Sequence, residues 1–202
     1  MAELNKTMKV IYFEEDLKMA KVVFGMTMSL DGFINDANGS VALLYPDMIE
    51  LGQTDLMREW IDTTGAAVMG RRTFGMASDP DGYADGYEFQ VPIFVITEQA
   101  PEKKPKENGR ISFTFLDNVE AAIEQAKQAA GEKDVTVVGG PTVGQQLLKA
   151  GLVDELQIGI MPILLGEGQR LFEHLEGMQI KLKKTRVVET GQRTDMWFTI
   201  EK

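Results

Sequence analysis

Two short stretches carry residue types that can hold phosphate without a metal ion. Gly139-Gly140-Pro141-Thr142 falls between an apolar run and an amphipathic one. A strand-to-helix turn of this kind points free backbone N–H groups, and the positive end of the helix dipole, into the crevice beyond a sheet. Pro141 suits the first helical turn, where no N–H is needed, and the two glycines let backbone approach a pyrophosphate with no side chain in the way. Gly70-Arg71-Arg72-Thr73 is a second such junction, and it adds two guanidiniums and a hydroxyl suited to phosphate oxygens. Neither stretch is a GxGxxG fingerprint after a first strand, and no Gly-Lys-Ser/Thr of a Walker loop occurs. Taken singly, the first also reads as a plain tight turn and the second as a basic pair on a solvated helix end. Two cradles at one sheet edge could instead serve one extended ligand with a bridging pyrophosphate.

The elements that must position these turns follow from periodicity. Lys21 to Leu30 alternates as a strand, with Phe24, Met26, Met28 and Leu30 on one face, and stops at Asp31-Gly32. Thr54 to Thr64 repeats apolar residues at helix spacing, with Trp60 expected in the core and Thr54, or Gln53 before it, at the start. Ala66 to Met69 is a buried strand feeding the Gly70 turn. Ser78 to Gly86, with three Asp, two Gly and a Pro, has the composition of a loop long enough to cover a site. Val91 to Thr97 and Ile111 to Leu116 read as strands, Val119 to Ala130 as an amphipathic helix stopped by Gly131, Asp134 to Val138 as a strand, and Thr142 to Ala150 as a helix stopped by Gly151. The last third contributes strands over Glu155 to Pro162, Lys181 to Glu189 and Asp195 to Glu201, with a turn at Gly191. Alternating strands and helices predict one α/β domain with a mostly parallel central sheet, closed by an antiparallel C-terminal hairpin. Residues 1–18 are an N-terminal extension or a leader before Met19, and 19–202 form the domain.

Composition narrows the chemistry. The chain has 202 residues, 44% of them hydrophobic and 26% charged, enough for one sizeable core. A net charge of −10 disfavours a nucleic acid partner, and no apolar run approaches the length of a membrane helix. With no cysteine and His174 as the only histidine, thiolate chemistry and Cys- or His-rich metal sites are closed off, so no metal site is expected. His174, after Phe172 and Glu173, reads as solvated, and Ser29, Asp31 and His174 lack a nucleophile-elbow motif. No secretory signal is legible, so the expected location is cytoplasmic.

The segments MTMSLDGFI at 26–34, VMGRRTF at 68–74, VTVVGGPTVGQQLLKAGLVDEL at 135–156 and PILLGEGQRLF at 162–172 resemble, in order and spacing, the dihydrofolate reductase-like superfamily. The likeness is strongest to the branch containing the C-terminal reductase domain of riboflavin-pathway deaminase-reductases. It implies a single three-layer α/β domain and an NAD(P)H-dependent reductase, with NADPH favoured and NADH possible. It maps the cofactor's phosphates onto Gly70, Arg71, Arg72 and Thr73 and onto Gly139, Gly140, Pro141, Thr142 and Val143, with Thr97 toward the adenosine end. It places the Pro162 to Gly168 segment, including Leu165 and Gly166, together with Phe33, on the substrate side.

Hydride transfer needs a proton for the atom that receives electrons. Asp31 is the candidate carboxylic acid or orienting carboxylate, and its other reading is a turn-forming Asp-Gly that caps local backbone. Tyr45, Tyr83 and Tyr87 could donate protons, cover a planar substrate, or simply pack. Two departures from the family pattern bear on specificity. Glu98 follows Thr97, where a 2′-phosphate would meet a carboxylate, and Phe33 stands where the riboflavin-pathway enzymes usually carry a lysine. The expected substrate is therefore a small, planar or heterocyclic molecule. The alternatives are a riboflavin-pathway reductase acting on a ribosylamino-pyrimidine phosphate, and a nucleotide-binding module without turnover. The resemblance also implies a homodimer.

Overall fold

The computed structural model describes residues 20–46 and 48–201, so the extension or leader expected at 1–18 lies outside the described residues. Eight strands form one sheet in the order β4-β3-β2-β5-β1-β6-β8-β7. In chain order they are β1 (Val22–Ser29), β2 (Thr64–Gly70), β3 (Ile93–Ile96), β4 (Phe113–Leu116), β5 (Asp134–Val137), β6 (Glu155–Met161), β7 (Leu182–Thr190) and β8 (Arg193–Ile200). Every pairing from β4 across to β6 is parallel, and β8 and β7 then close one edge antiparallel. The mostly parallel sheet with its closing hairpin is the expected architecture. The central strands are buried nearly throughout, because helices cover both faces of a parallel sheet.

Two helices cover one face. In α5 (Val119–Ala130) the Asn118 side chain accepts a hydrogen bond from the Ala121 N–H at 2.7 Å, capping the first turn, and Ala122, Ile123 and Ala126 are buried. The other, α6 (Pro141–Lys149), buries Val143, Leu147 and Leu148. Phe24 of β1 packs so tightly against α6 that a Cβ on Gly144 would lie 2.0 Å from its ring. Side chains alternate along a strand, so the neighbouring Gly25 looks out of the opposite face. There α2 (Asp55–Thr63) crosses, and a Cβ on Gly25 would meet the Trp60 ring at 2.7 Å. Sheet and two covering layers make three.

Some short elements escape the periodicity. A 3-10 turn at Ala42–Leu44, α1 (Met48–Gly52) and α3 (Arg71–Phe74) are too brief to show a repeat. Ser78 to Gly86, expected as a loop, contains the helical turn α4 (Gly82–Gly86). Its Asp- and Gly-rich composition argues against a helix, but Tyr83 stacks on Phe74 at 5.5 Å between ring centroids and Tyr87 meets Tyr83 edge-on at 4.9 Å. Aromatic burial decides the conformation there, over local propensity.

Candidate active site

The C-terminal ends of β2 and β5 lie side by side, and both glycine junctions open there. Gly70 N–H donates to Gly139 O at 3.4 Å, drawing the two turns together. Gly139 and Gly140 have φ of 136° and 78°, values that favour glycine. A Cβ on Gly139 would come within 3.1 Å of Thr73 Oγ1, and one on Gly70 within 3.1 Å of a Val143 methyl, so side chains at either position would fill the space. The Gly140 N-cap supplies no side-chain cap and Pro141 occupies the first turn of α6, leaving its early N–H groups without a capping side chain.

These turns form one end of a cavity of about 690 Å³, within the size range of small-molecule and cofactor sites. Gly70, Arg71, Arg72, Thr73, Thr97, Gly139, Gly140, Pro141, Thr142 and Val143 all line it, so every expected phosphate-side residue is brought to one place. Arg71 Nη1 donates to the Gln99 carbonyl at 2.9 Å, beside the Thr97 turn and the exposed Glu98. Arg72 Nη1 donates to Gln169 Oε1 at 3.0 Å, tying the second guanidinium to the loop after β6.

The other end runs under α1 and α2 and over β1, β6 and β8. Tyr45, Leu51, Leu56, Met57, Trp60 and Phe89 supply an apolar and aromatic wall, and Thr27, Gln157, Arg193 and Asp195 a polar floor. Trp60, expected in the core, is a half-buried part of this wall: its helix rests on Gly25, where the missing Cβ lets the ring reach the sheet. Helix spacing identifies the inward face of α2 and leaves open whether that face meets core or cavity. Met26 also lines the cavity, whereas Met69 is buried in the core.

The expected substrate-side residues form a separate knot. Ser29 Oγ donates to Asp31 Oδ1 at 2.6 Å, and the Leu165 and Gly166 N–H groups donate to Oδ1 and Oδ2 at 3.1 and 2.8 Å. The Ser29 bond, with the two backbone N–H bonds behind it, brings the Asp31 carboxyl down to about 2. Arg170 stacks on Phe33 at 4.3 Å and donates to the Asp31 carbonyl. Asp31, Phe33, Leu165 and Gly166 are not among the cavity's lining residues; from these two segments Ile34, Asn35 and Gln169 are. His174 is exposed and its ring lies 3.9 Å from Glu173.

All three candidate tyrosines line the cavity, in different states. Tyr83 hydroxyl donates to the Phe74 carbonyl at 3.2 Å, and burial, reinforced by Glu88, pushes its pKa up to about 12. Burial raises Tyr87 well above the usual phenol value, with Glu88 and Tyr83 adding to the effect. Glu88 keeps accessible surface and lines the cavity, while protein on its other sides displaces enough bulk water that desolvation raises its carboxyl. The sequence marks Glu88 only as one acid beside three aromatic residues, at 83, 87 and 89, and nothing in its spacing separates it from the other surface acids.

Residues 20–195 match the RibD C-terminal domain family. The chain belongs to that family. Membership places it in the dihydrofolate reductase-like superfamily of reductases. Bacillus subtilis YyaP is 27% identical over 186 residues, 87% of this chain and 93% of that protein. A structure named as a riboflavin biosynthesis protein from Shewanella sp. PV-4 is 25% identical with a TM-score of 0.71, covering 91% of this chain and all of that one. Enterococcus faecalis dihydrofolate reductase complexed with NADP(H) shares the fold at 16% identity, with a TM-score of 0.61 and coverage of 91% and 98%. No helix among the described residues is long and apolar enough to cross a membrane.

Proposed function

We propose that this protein is an NAD(P)H-dependent reductase that delivers a hydride to a small planar heterocycle, and that the cavity holds cofactor and substrate end to end. One observation carries the reading: a single cavity is lined at one end by both glycine junctions and at the other by an aromatic wall over a polar floor. Gly139, Gly140, Thr142 and Val143 would hold the pyrophosphate through backbone N–H groups, with Thr73 alongside. Thr97 and Arg71 lie toward the adenosine end, where the Arg71 guanidinium, held on the Gln99 carbonyl, is the cation that would meet a 2′-phosphate and favour NADPH over NADH. The bound cofactor supplies the hydride; the chain supplies placement, exclusion of water and a proton.

The proton is assigned to Glu88. Glu88 lines the cavity and desolvation raises its pKa above the ordinary carboxylate value, whereas Asp31 is tied as a carboxylate between two loops. Asp31 then serves to fix the loop carrying Gln169, and so Arg72.

Family membership supports a second, narrower reading, in which the heterocycle is the ribosylamino-pyrimidine phosphate of the riboflavin pathway. Among the described residues the cavity's cations are Arg71, Arg72 and Arg193, and the first two sit at the cofactor end. Turnover assays with that compound and its dephosphorylated form separate the readings. Reduction of only the phosphate form supports the pathway enzyme; reduction of both supports a broader heterocycle reductase. Tight NADPH binding without oxidation of either, or of a panel of pterins and imines, would leave a nucleotide-binding module. The dimeric state and a cytoplasmic location belong to the same proposal.

A further inference from the structure

Arg71 and Arg72 are neighbours in the chain, yet they are drawn in opposite directions along the end of the sheet. The strand order there is β3-β2-β5-β1-β6, and both arginines follow β2. Arg71 Nη1 donates to the Gln99 carbonyl, in the turn after β3. Arg72 Nη1 donates to Gln169 Oε1, in the loop after β6. The second bond therefore reaches past the ends of β5 and β1, where the Gly139-Gly140 turn opens.

Gln169 is built to hold an arginine. Its N–H donates to Asn35 Oδ1 at 2.8 Å and its carbonyl accepts from the Ile34 N–H at 2.9 Å, so its backbone is fixed on both sides. The residue before it, Gly168, has a φ of 131°, and a Cβ there would collide with the Asn35 carbonyl. Both arginines are also held by uncharged oxygens. Among the described residues the arginines in ion pairs are Arg58, Arg186 and Arg193. Glu98 and Asp117 line the same cavity and Glu167 stands two residues before Gln169, but Arg71 and Arg72 pair with none of them. In a chain of net charge −10, a neutral acceptor fixes a guanidinium without spending its charge.

We infer that Gln169 is a positioning residue for the cofactor: it aims Arg72, with its charge free, across the crevice at the bridging pyrophosphate, and leaves the adenosine end to Arg71. This rests on the proposed reductase function and divides the cofactor's phosphates between the two arginines. Arg72 is exposed, and a long exposed side chain gives up rotamer freedom when it meets an anion. Held by Gln169, it has less freedom to lose. One N–H of the guanidinium is committed to the amide, and its remaining donors can meet phosphate oxygens. A carboxylate at position 169 would hold the arginine as firmly and neutralise it.

NADPH, NADH and inorganic pyrophosphate are titrated into the full chain by calorimetry, for the wild type, Gln169→Glu, Gln169→Leu, Arg72→Leu, Arg71→Leu and the double variant Gln169→Leu/Arg72→Leu. The expected result is that Gln169→Glu weakens all three ligands by about tenfold or more, and NADPH and NADH by the same factor, because both carry the pyrophosphate. Gln169→Leu weakens them by a few-fold and has no further effect once Arg72 is replaced, a coupling that general damage to the loop would not produce. Arg71→Leu instead weakens NADPH more than NADH. Unchanged affinities in both Gln169 variants, a Gln169→Leu loss that persists in full beside Arg72→Leu, or a loss confined to NADPH would each overturn the inference. Should one Gln169 variant fail to fold, as a melting curve would show, the other is paired with Arg72→Leu in its place. A wild type that binds pyrophosphate with this pattern but neither coenzyme would defeat the reductase reading and leave the positioning role standing; a wild type that binds none of the three would overturn both.

Discussion

Asp31 and Glu88 carry the same functional group, and their surroundings shift it in opposite directions. Asp31 accepts from one hydroxyl and two backbone N–H groups, so its ionised form is stabilised and its pKa falls from 3.8 to about 2. A lowered carboxylate pKa adds stability above the unfolded value and loses it as pH falls through the folded one. Asp31→Asn should therefore lower the melting temperature at neutral pH, with the two proteins converging as the pH drops from 3.8 toward 2; a constant difference across that window would count against the role. Glu88 has the reverse shift, because the protein around its accessible side removes part of the water that would stabilise its charge. If it gives the proton, turnover is full while Glu88 is protonated and declines as pH rises through a pKa above 4.5. Glu88→Gln should cut kcat by about a hundredfold or more and abolish that decline, with NADPH affinity retained, as pH–rate profiles of the two proteins would show.

At the level of elements, two glycines at either end of the first turn of α6 do different jobs. Gly139 has a φ of 136° and faces Thr73, so Gly139→Ala should strain the backbone and narrow the cradle, weakening NADPH by about tenfold or more in calorimetry. Gly144 is an ordinary helical position where alanine is intrinsically better by about 1 kcal/mol. Here the added methyl would lie 2.0 Å from the Phe24 ring, so Gly144→Ala should instead destabilise by about 1–3 kcal/mol, seen as a lower melting temperature without loss of residual cofactor affinity. A rise in melting temperature would show that Phe24 has room to move. The longer elements were readable because their apolar residues repeat over whole turns or alternations. The turn α4 was not, since its five residues are held by aromatic contacts to Phe74 and Phe113, distant from any local signal.

For the whole molecule, the two sheet edges differ. At β4 three of four residues are partly covered, whereas β7 is exposed along most of its length and leaves Leu182 and Val187 at 43% and 47% exposure. An exposed edge strand with apolar side chains is a pairing surface, and Lys183, Lys184 and Arg186 are the charges that restrain it. A homodimer through this edge should appear in light scattering as twice the chain mass, and Val187→Lys should shift it to the monomer; a wild-type monomer at micromolar concentration would remove the edge from consideration.

Residue order alone determined the strands and the longer helices, the parallel sheet with its closing hairpin, and the two glycine junctions, because periodicity and turn chemistry are local properties. The residues of the two glycine junctions were legible for the same reason: each junction is one continuous stretch. What only the tertiary structure decided is the far end of the site. Glu88, Trp60, Gln157 and Arg193 come from four separated segments and meet through sheet order and a helix resting on a glycine. The desolvation of Glu88 and, among the described residues, the unpartnered donors of Trp60 and Arg193 arise from neighbours that no local spacing predicts.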